Sequence, residues 1–455
     1  MRTESEVVQS LKKYTERSVP RYTSYPTAPH FSKTIGPDAY CSWLNGLPAG
    51  DPISLYLHVP FCRQLCWYCG CNMKLATREA PIAQYAETLR KEIALVAKAF
   101  PERKAISHLH WGGGTPTALS PHDFETTMSS VFDAFDIDDG AELALESDPR
   151  TLTPKMIDLA GRLGFTRASF GVQEFDPMVQ AAINRIQPPE MVKDCVVGFR
   201  DAGVKSINFD LIYGLPLQTT DTLLKTIDLC VEMRPDRIAL FGYAHVPWVA
   251  KKQRLIDEAA LPGSDARLEQ AQASSQALID AGYVAIGLDH FALRDDPMAR
   301  LLSAGKLRRN FQGYTTDQAE TMLGVGATSI GRTPYGYAQN IAETGAWARA
   351  VDSGQLPVGK GYGFKGQDQL RSFVIEKLMC QSVVDLKAAG RRFGFAPSWY
   401  DEHLVDIKSL ALDGLVRLED GVLTLTETGR LMVRVVASVF DEYLPTSTAR
   451  HAVSV

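Results

Sequence analysis

Ile53-Ser54-Leu55-Tyr56-Leu57-His58-Val59, a β-rich run, leads straight into the loop Pro60-Phe61-Cys62-Arg63-Gln64-Leu65-Cys66-Trp67-Tyr68-Cys69-Gly70-Cys71. Five similar runs follow, at Ile106 to Trp111, Glu142 to Glu146, Arg167 to Val172, Ser206 to Ile212 and Arg237 to Tyr243. Between them Tyr85 to Ala99, Pro154 to Leu163, Glu190 to Ala202 and Asp221 to Met233 carry apolar residues at helical spacing. Strands alternating with helices in this way build right-handed βα units on a parallel sheet. The expected fold is therefore α/β, an incomplete TIM-like (β/α)6 barrel. In such barrels chemistry collects where the strands end, and the polar landmarks obey that rule. Cys62 follows the first run, Gly112-Gly113-Gly114 the second, Glu146 the third and Gln173 the fourth, with Asp210 and Tyr243 near the ends of the fifth and sixth.

The cysteine loop carries the strongest chemical signal. Its core, C-x3-C-x2-C, offers three thiolates from one loop, enough to cap three irons of a [4Fe–4S] cubane through Cys62, Cys66 and Cys69. The fourth iron is left open for a substrate or cofactor unless Cys71 supplies a ligand. Zinc is the alternative, but four cysteines so close together would crowd a tetrahedral site. Cys41, Cys195, Cys230 and Cys380 stand alone in apolar or helical contexts and are expected in the core.

Outside this rhythm, residues 1–50 read as an N-terminal substrate-gating segment that begins with an amphipathic helix over Met1 to Arg17. Residues 51–290 form the barrel core, 291–365 a barrel extension with ligand-contacting loops, and 366–455 a mainly helical C-terminal domain. A hairpin is expected over Val416 to Thr426, turning on Asp420-Gly421. The tail has the outline of a winged helix without a basic recognition face, so no nucleic-acid partner is expected. With 455 residues, 45% hydrophobic and 22% charged, the chain has ordinary globular composition, and its formal charge of −5 argues against an anionic membrane surface. No run approaches the ~20 apolar residues of a membrane span, and the N-terminus lacks a signal peptide's apolar centre. The expectation is a cytoplasmic monomer without membrane insertion.

The cysteine loop with Tyr68, followed by Gly112-Gly113-Gly114-Thr115-Pro116 after the second strand, resembles the radical S-adenosylmethionine superfamily. Further motifs narrow the resemblance to oxygen-independent coproporphyrinogen III oxidases. They are Pro20-Arg21-Tyr22-Thr23-Ser24-Tyr25-Pro26, Cys69-Gly70-Cys71-Asn72, Gly171-Val172-Gln173, Asp210-Leu211-Ile212-Tyr213-Gly214-Leu215-Pro216 and Asn310-Phe311-Gln312-Gly313-Tyr314-Thr315-Thr316. The likeness runs nearly end to end. It implies that coproporphyrinogen III is the substrate, that two propionates are oxidatively decarboxylated to vinyl groups, and that electrons come from a reductant protein of the flavodoxin or ferredoxin type.

The resemblance also implies two S-adenosylmethionine sites. The first carries over to Tyr56, Gly113, Glu146 and Ile330, and the second to Tyr68, Gly114, Thr115, Gln173, Arg185, Asp210 and Ala244. No catalytic side chain is expected beyond the cluster and cofactor site. Arg21, Tyr22 and Tyr25, and also Arg308 and Arg309, offer cations and flat rings that suit a tetrapyrrole bearing carboxylates. Each residue has a plainer reading: a tight turn for the glycines, a barrel ion pair for Glu146 and Asp210, a helix-start cation for Arg185, a structural anchor for Arg21 to Tyr25. A haem-binding chaperone on the same scaffold is disfavoured, because that type lacks Cys71 and the Arg21 to Pro26 segment. A radical enzyme that opens the haem macrocycle shares the cluster and differs in the N-terminal motif.

The cysteine reading predicts that anaerobic reconstitution loads about four iron and four sulfide per chain. Cys62→Ala, Cys66→Ala and Cys69→Ala should each lose the cluster while Cys71→Ala keeps it. Iron and sulfide analysis with visible absorption checks this; zinc without iron in anaerobically isolated protein would overturn it.

Overall fold

The computed structural model describes residues 13–14 and 17–444, so most of the helix expected over Met1 to Arg17 lies outside the described residues. All six expected strands are present: β1 (Ile53–Val59), β2 (Ala105–Gly113), β3 (Asp136–Ser147), β4 (Arg167–Gln173), β5 (Ser206–Tyr213) and β6 (Arg237–Gly242). They pair in parallel and in sequence order. The crossovers carry α1 (Ala80–Lys98), α2 (Pro121–Ala134), α3 (Pro154–Arg162), α4 (Pro189–Asp201) and α5 (Thr220–Met233). Proline opens α1 to α4, where its missing N–H costs nothing. Ser120 and Thr153 cap α2 and α3 by accepting the amides of Asp123 and Met156.

Side chains alternate across each strand, and here the two rows differ sharply. The outward row, including Leu55, Leu57, Trp111, Leu145, Phe170, Phe209 and Leu240, is buried in one core with the helices. The inward row holds Tyr56 and His58 on β1, His110 on β2, Glu142 and Glu146 on β3, Gln173 on β4 and Asp210 on β5. Near its base Glu142 accepts from Arg167 at 3.0 Å and Arg237 at 3.4 Å, and Arg237 also pairs with Asp296 at 2.9 Å. This ion-paired floor supports the polar side chains above it.

The sheet is wider than six strands. Thr321–Val325 pairs in parallel on the far side of β1. Antiparallel strands Ile330–Thr333, Gly336–Asn340 and Val358–Gly363 continue from there, while His290–Leu293 and Tyr283–Ile286 extend the β6 side. The division expected between 290 and 291 therefore falls inside a strand, because His290 and Phe291 pair with both β6 and Tyr283–Ile286. Ile330–Thr333, Gly336–Asn340 and Val358–Gly363 are rich in glycine and polar residues, and the other three additions are only four or five residues long, so none shows the longer apolar pattern that marks the first six.

The C-terminal region is helical as expected, with Asp368–Gln381, Leu386–Arg392 and Leu404–Leu412. It includes a three-stranded sheet of Val383–Asp385, Val422–Leu425 and Val416–Glu419. The hairpin turns on Asp420 and Gly421, whose φ values of 51° and 87° suit a two-residue turn. A second core unites this region with the N-terminal segment: Tyr14, Val19, Tyr22 and Tyr25 pack with Leu370, Leu378, Trp399 and Phe440. The Tyr22 hydroxyl donates to Asp441 at 3.0 Å and the Tyr25 hydroxyl accepts from the Glu442 amide at 3.2 Å. This corrects the expectation that the two rings close over a ligand, since both are buried as an anchor between the chain's two ends. Cys195, Cys230 and Cys380 are buried as expected, but Cys41 is exposed on its helix.

Glu92 of α1 ties the barrel to the added strands. Its carboxylate, 1% exposed, accepts from the Gly326 amide at 2.8 Å, Trp347 Nε1 at 2.8 Å and Asn340 Nδ2 at 2.6 Å. Burial pushes its pKa from 4.5 up to about 7 despite these donors. A carboxyl whose folded pKa is raised contributes stability that is complete below pH 4.5 and is lost as pH rises through about 7. Urea unfolding should show the wild type losing stability across that window relative to Glu92→Gln. The variant should be weaker at every pH, because an amide N–H then faces these donors.

Candidate active site

At the C-terminal ends of the strands lies a cavity of about 550 Å³. The loop after β1 brings Cys62, Cys66, Cys69 and Cys71 to its wall, beside Gly113, Gly114 and Thr115 from the loop after β2. Glu146, Gln173, Asp210 and Ala244 come from β3 to β6 and their loops, and Tyr68 and Arg185 complete the set. Twelve of the fourteen residues predicted for the cluster and cofactor, all but Tyr56 and Ile330, are thus gathered on one surface, together with Arg21.

Donors surround the sulfurs. Arg150 Nη2 donates to Cys66 Sγ at 3.1 Å and Arg185 Nη1 at 3.4 Å, the Cys71 amide donates to Cys69 Sγ at 3.4 Å, and Thr115 Oγ1 lies 3.5 Å from Cys62 Sγ. Cations and N–H groups of this kind favour thiolates, the form that binds iron. Burial pushes the Cys62 thiol up to about 11, whereas the hydrogen bond with Cys71 pulls Cys69 below its usual range. Among the described residues no three His, Cys, Asp or Glu side chains converge on a single ion. A cubane, by contrast, takes each thiolate to a different iron and needs them spread.

The three glycines do more than turn the chain. A Cβ on Gly112 would lie 2.8 Å from Glu146 Oε1, one on Gly113 2.5 Å from the His58 ring, and one on Gly114 2.7 Å from the Phe61 carbonyl oxygen. Gly113 also has φ +114°, a region unfavourable for other residues. Its amide donates to Glu146 Oε2 at 3.1 Å, and His110 Nε2 holds Oε1 at 2.9 Å. Burial pushes the Glu146 carboxyl up, but His110 and the Gly113 amide outweigh it and leave the pKa below the ordinary value. Tyr56 meets His58 Nδ1 at 2.9 Å, and burial pushes the His58 pKa down to about 4. Ile330 approaches from the next strand, its carbonyl carbon 2.7 Å from where a Cβ on Gly324 would sit, opposite Tyr56.

Asp210 differs from its neighbours. Its hydrogen-bond partner is Asn208 at 3.0 Å, and burial followed by repulsion from Glu146 pushes its pKa up to about 7. The barrel ion pair that formed its plainer reading belongs instead to Glu142. Gln173 sits at φ 69°, a strained conformation for a residue with a side chain, where the pairing of β4 with β5 shifts register. Arg185 does not start a solvated helix: it is buried between Cys66, Asp148 and the Gly171 carbonyl.

Asp148 and Arg150 went unread in the sequence, although they follow Glu146 at the same strand end. Asp148 holds Arg150 at 2.6 Å and Arg185 at 3.4 Å, and both guanidinium groups reach Cys66. Tyr22 and Tyr25 line a separate cavity of about 40 Å³. Arg308, matched with Glu376 at 2.7 Å and Glu320 at 3.1 Å, lies outside the main cavity, which corrects its assignment to a free carboxylate site. Arg309 lines an adjoining cavity that also contains Arg21.

Residues 56–230 match the family model of the radical SAM superfamily. The oxygen-independent coproporphyrinogen III oxidase of Bradyrhizobium diazoefficiens is 49% identical, over 96% of this chain and 98% of its own length. That of Pseudomonas aeruginosa is 39% identical, over 96% and 95%. The chain belongs to the oxygen-independent coproporphyrinogen III oxidase family. A solved member, the coproporphyrinogen III oxidase of Escherichia coli, is a radical SAM enzyme and superposes with a TM-score of 0.89 at 36% identity, covering 94% of this chain and 100% of that one.

In this family member the superfamily match begins at Tyr56 and ends in α5, so it spans the cysteine loop, the glycine loop, Glu146 and Asp210. The likeness to the oxidases continues through the added strands and the C-terminal core. The donor set around three cavity-facing cysteines and the side-chain-free cradle at Gly113 fit a [4Fe–4S] cluster with S-adenosylmethionine. Gly113→Ala tests the cradle. A Cβ against His58 at positive φ should cost roughly 1–3 kcal/mol of stability. S-adenosylmethionine binding, read by equilibrium dialysis, should be lost while iron content stays, and unchanged binding would show that the cradle is only a turn.

Proposed function

We propose that this chain carries out the anaerobic oxidative decarboxylation of two propionate side chains of coproporphyrinogen III, giving the vinyl groups of protoporphyrinogen IX in haem biosynthesis. The observation that carries the reading is the convergence of Cys62, Cys66 and Cys69 with Gly113, Glu146 and Asp210 on one cavity, in a chain nearly half identical to an oxidase of that name. When bound, the cluster and S-adenosylmethionine supply a 5′-deoxyadenosyl radical able to take a hydrogen atom from a propionate β-carbon. Breaking of the bond between the neighbouring α-carbon and the carboxyl then releases carbon dioxide and leaves the vinyl group, with one electron passing to an acceptor outside the chain.

The residues divide this work by charge. Cys62, Cys66 and Cys69 hold the cluster, with Arg150 and Arg185 offsetting thiolate charge at Cys66. Tyr56, Gly113, Glu146 and Ile330 form the first S-adenosylmethionine site, where the Glu146 carboxylate, oriented by His110, suits hydroxyl or ammonium donors. Tyr68, Gly114, Thr115, Gln173, Arg185, Asp210 and Ala244 form a second one, in which Asp210 faces the cationic part and Arg185 the carboxylate. The protein's further share is orientation and exclusion of water from a radical. A flavodoxin- or ferredoxin-type protein supplies the electron, and the enzyme works as a cytoplasmic monomer with no nucleic-acid partner and no membrane insertion. Among the described residues no helix is long and apolar enough to cross a membrane.

An anaerobic assay of the reconstituted protein with S-adenosylmethionine, a reductant and coproporphyrinogen III tests the reading. Protoporphyrinogen IX should form, and porphyrin binding without decarboxylation would favour a haem-binding chaperone instead.

The two-site part has its own test in Asp210. A carboxyl raised to about 7 is ionised only above that pH, so a cationic ligand beside it binds more tightly as pH rises through that value. Equilibrium dialysis should find two S-adenosylmethionine per chain above pH 7, with the second weakening as pH falls. Asp210→Asn should remove this pH dependence and lower turnover while leaving the cluster spectrum intact. One cofactor per wild-type chain under every condition would exclude a second site.

A further inference from the structure

Beside the main cavity is a second one of about 290 Å³, and the two share Arg21, Phe241, Tyr243 and Arg434 in their walls. Four guanidinium groups line it, from Arg21, Arg267, Arg309 and Arg434, against one lining carboxylate, that of Asp289. Asp289 is itself held by His290 at 2.7 Å. So many like charges on one small surface repel one another unless an anion joins them. Burial, then the charges of Arg21 and Arg309, pulls the Arg434 pKa down to about 10.

Carbonyl oxygens and a ring help to position three of these arginines. Arg434 Nε donates to the Pro20 carbonyl at 3.1 Å and Arg21 Nη2 to the Gly242 carbonyl at 3.4 Å. Arg309 is 9% exposed and lies over the Tyr314 ring with Cζ 4.4 Å from its centroid. Its Nε and Nη1, like Nε of Arg267, are buried without a hydrogen-bond partner among the described residues. Buried N–H donors left in this condition are costly, and a carboxylate can satisfy two of them on one guanidinium. Much of the remaining wall is apolar, with Phe241, Leu288 and Phe291 and with Trp248, 48% exposed, among its residues.

We propose that Arg21, Arg267, Arg309 and Arg434 form the substrate's carboxylate anchor, holding the three propionates that are not reacting in the first round while the tetrapyrrole ring rests on the adjoining apolar wall. The inference rests on the decarboxylase reading and adds the determinant by which a four-carboxylate ring is chosen over a two-carboxylate one. Arg267 lies on a helix far in sequence from every motif, and Gly214 leaves it room, since a Cβ there would sit 3.3 Å from Arg267 Cζ. As two propionates become vinyl groups the substrate loses carboxylates that this anchor can hold, so product binds more weakly than substrate.

The test uses cluster-loaded protein with coproporphyrin III, a stable four-carboxylate probe, and mesoporphyrin IX, which has two carboxylates. Binding is read by fluorescence quenching. Wild type should prefer coproporphyrin III, and Arg267→Gln should weaken that probe about tenfold while changing mesoporphyrin binding less. Arg267→Lys should restore much of the preference, and the KM for coproporphyrinogen III should rise in Arg267→Gln. Arg21→Gln, on the exposed side of the cavity, provides the same readout independently should Arg267→Gln fold poorly. Equal affinity of wild type for the two probes, or wild-type coproporphyrin affinity in both neutral variants, would overturn the anchor. Wild-type protein that binds coproporphyrin III but never decarboxylates the porphyrinogen would instead overturn the decarboxylase reading and leave the anchor standing.

Discussion

Side chains on a β-strand must alternate between its two faces, and in a barrel one face looks outward to helices and the other inward. That constraint divides the chemistry of this chain. Leu55, Leu57, Trp111 and Phe170 go outward into the common core. Their immediate neighbours Tyr56, His110 and Ser169 have no choice but the interior. A register slip of one residue in any of the six strands would exchange the rows, placing Glu146 or Asp210 among leucines. The apolar row thus fixes the position of the polar one, and site geometry follows from core packing.

Because the interior is polar, it must also balance charge. Glu142 meets two arginines at the base, Glu146 is held by His110, and Asp148 joins Arg150 to Arg185 beside Cys66. Charge is matched pair by pair in these layers. At the mouth the matching stops: Asp210 is pushed toward neutrality, and the arginines beside Asp289 outnumber it. The buried pairs support the structure, while the unbalanced groups lie where ligands with a sulfonium or several carboxylates would complete them.

The six parallel strands were legible because each is an apolar run bounded by turn residues, and the cysteine loop because C-x3-C-x2-C has few other readings. The polar landmarks at strand ends followed from the first of these, and their assignment to S-adenosylmethionine from the family resemblance. Thr321–Val325 was not legible, since parallel pairing with β1 across such a separation leaves no local mark. Arg267 and Arg434 were missed for a related reason, being ordinary helix cations until tertiary packing brings them to Arg21. Tyr22 and Tyr25 misled in the opposite direction: rings beside a cation suit a tetrapyrrole, but they suit a core equally well, and only burial distinguishes the two. Asp148 and Arg150 could have been found from their position two and four residues beyond Glu146.

The union of residues 14–25 with residues 370–440 in one core sets an order of assembly. Val19 and Pro20 rest on Arg434, and Tyr22 rests on Asp441, so residues 19–22 find their partners only after the barrel between them has been made. The strands from Ile53 to Val325 need nothing beyond residue 325 to pair with one another. On the ribosome the barrel and its cysteine loop are complete while the N-terminal segment still lacks a place to dock. Arg21 and Arg434, far apart in sequence, are brought to the cavity by that long-range contact, so this part of the mouth's cationic side depends on it.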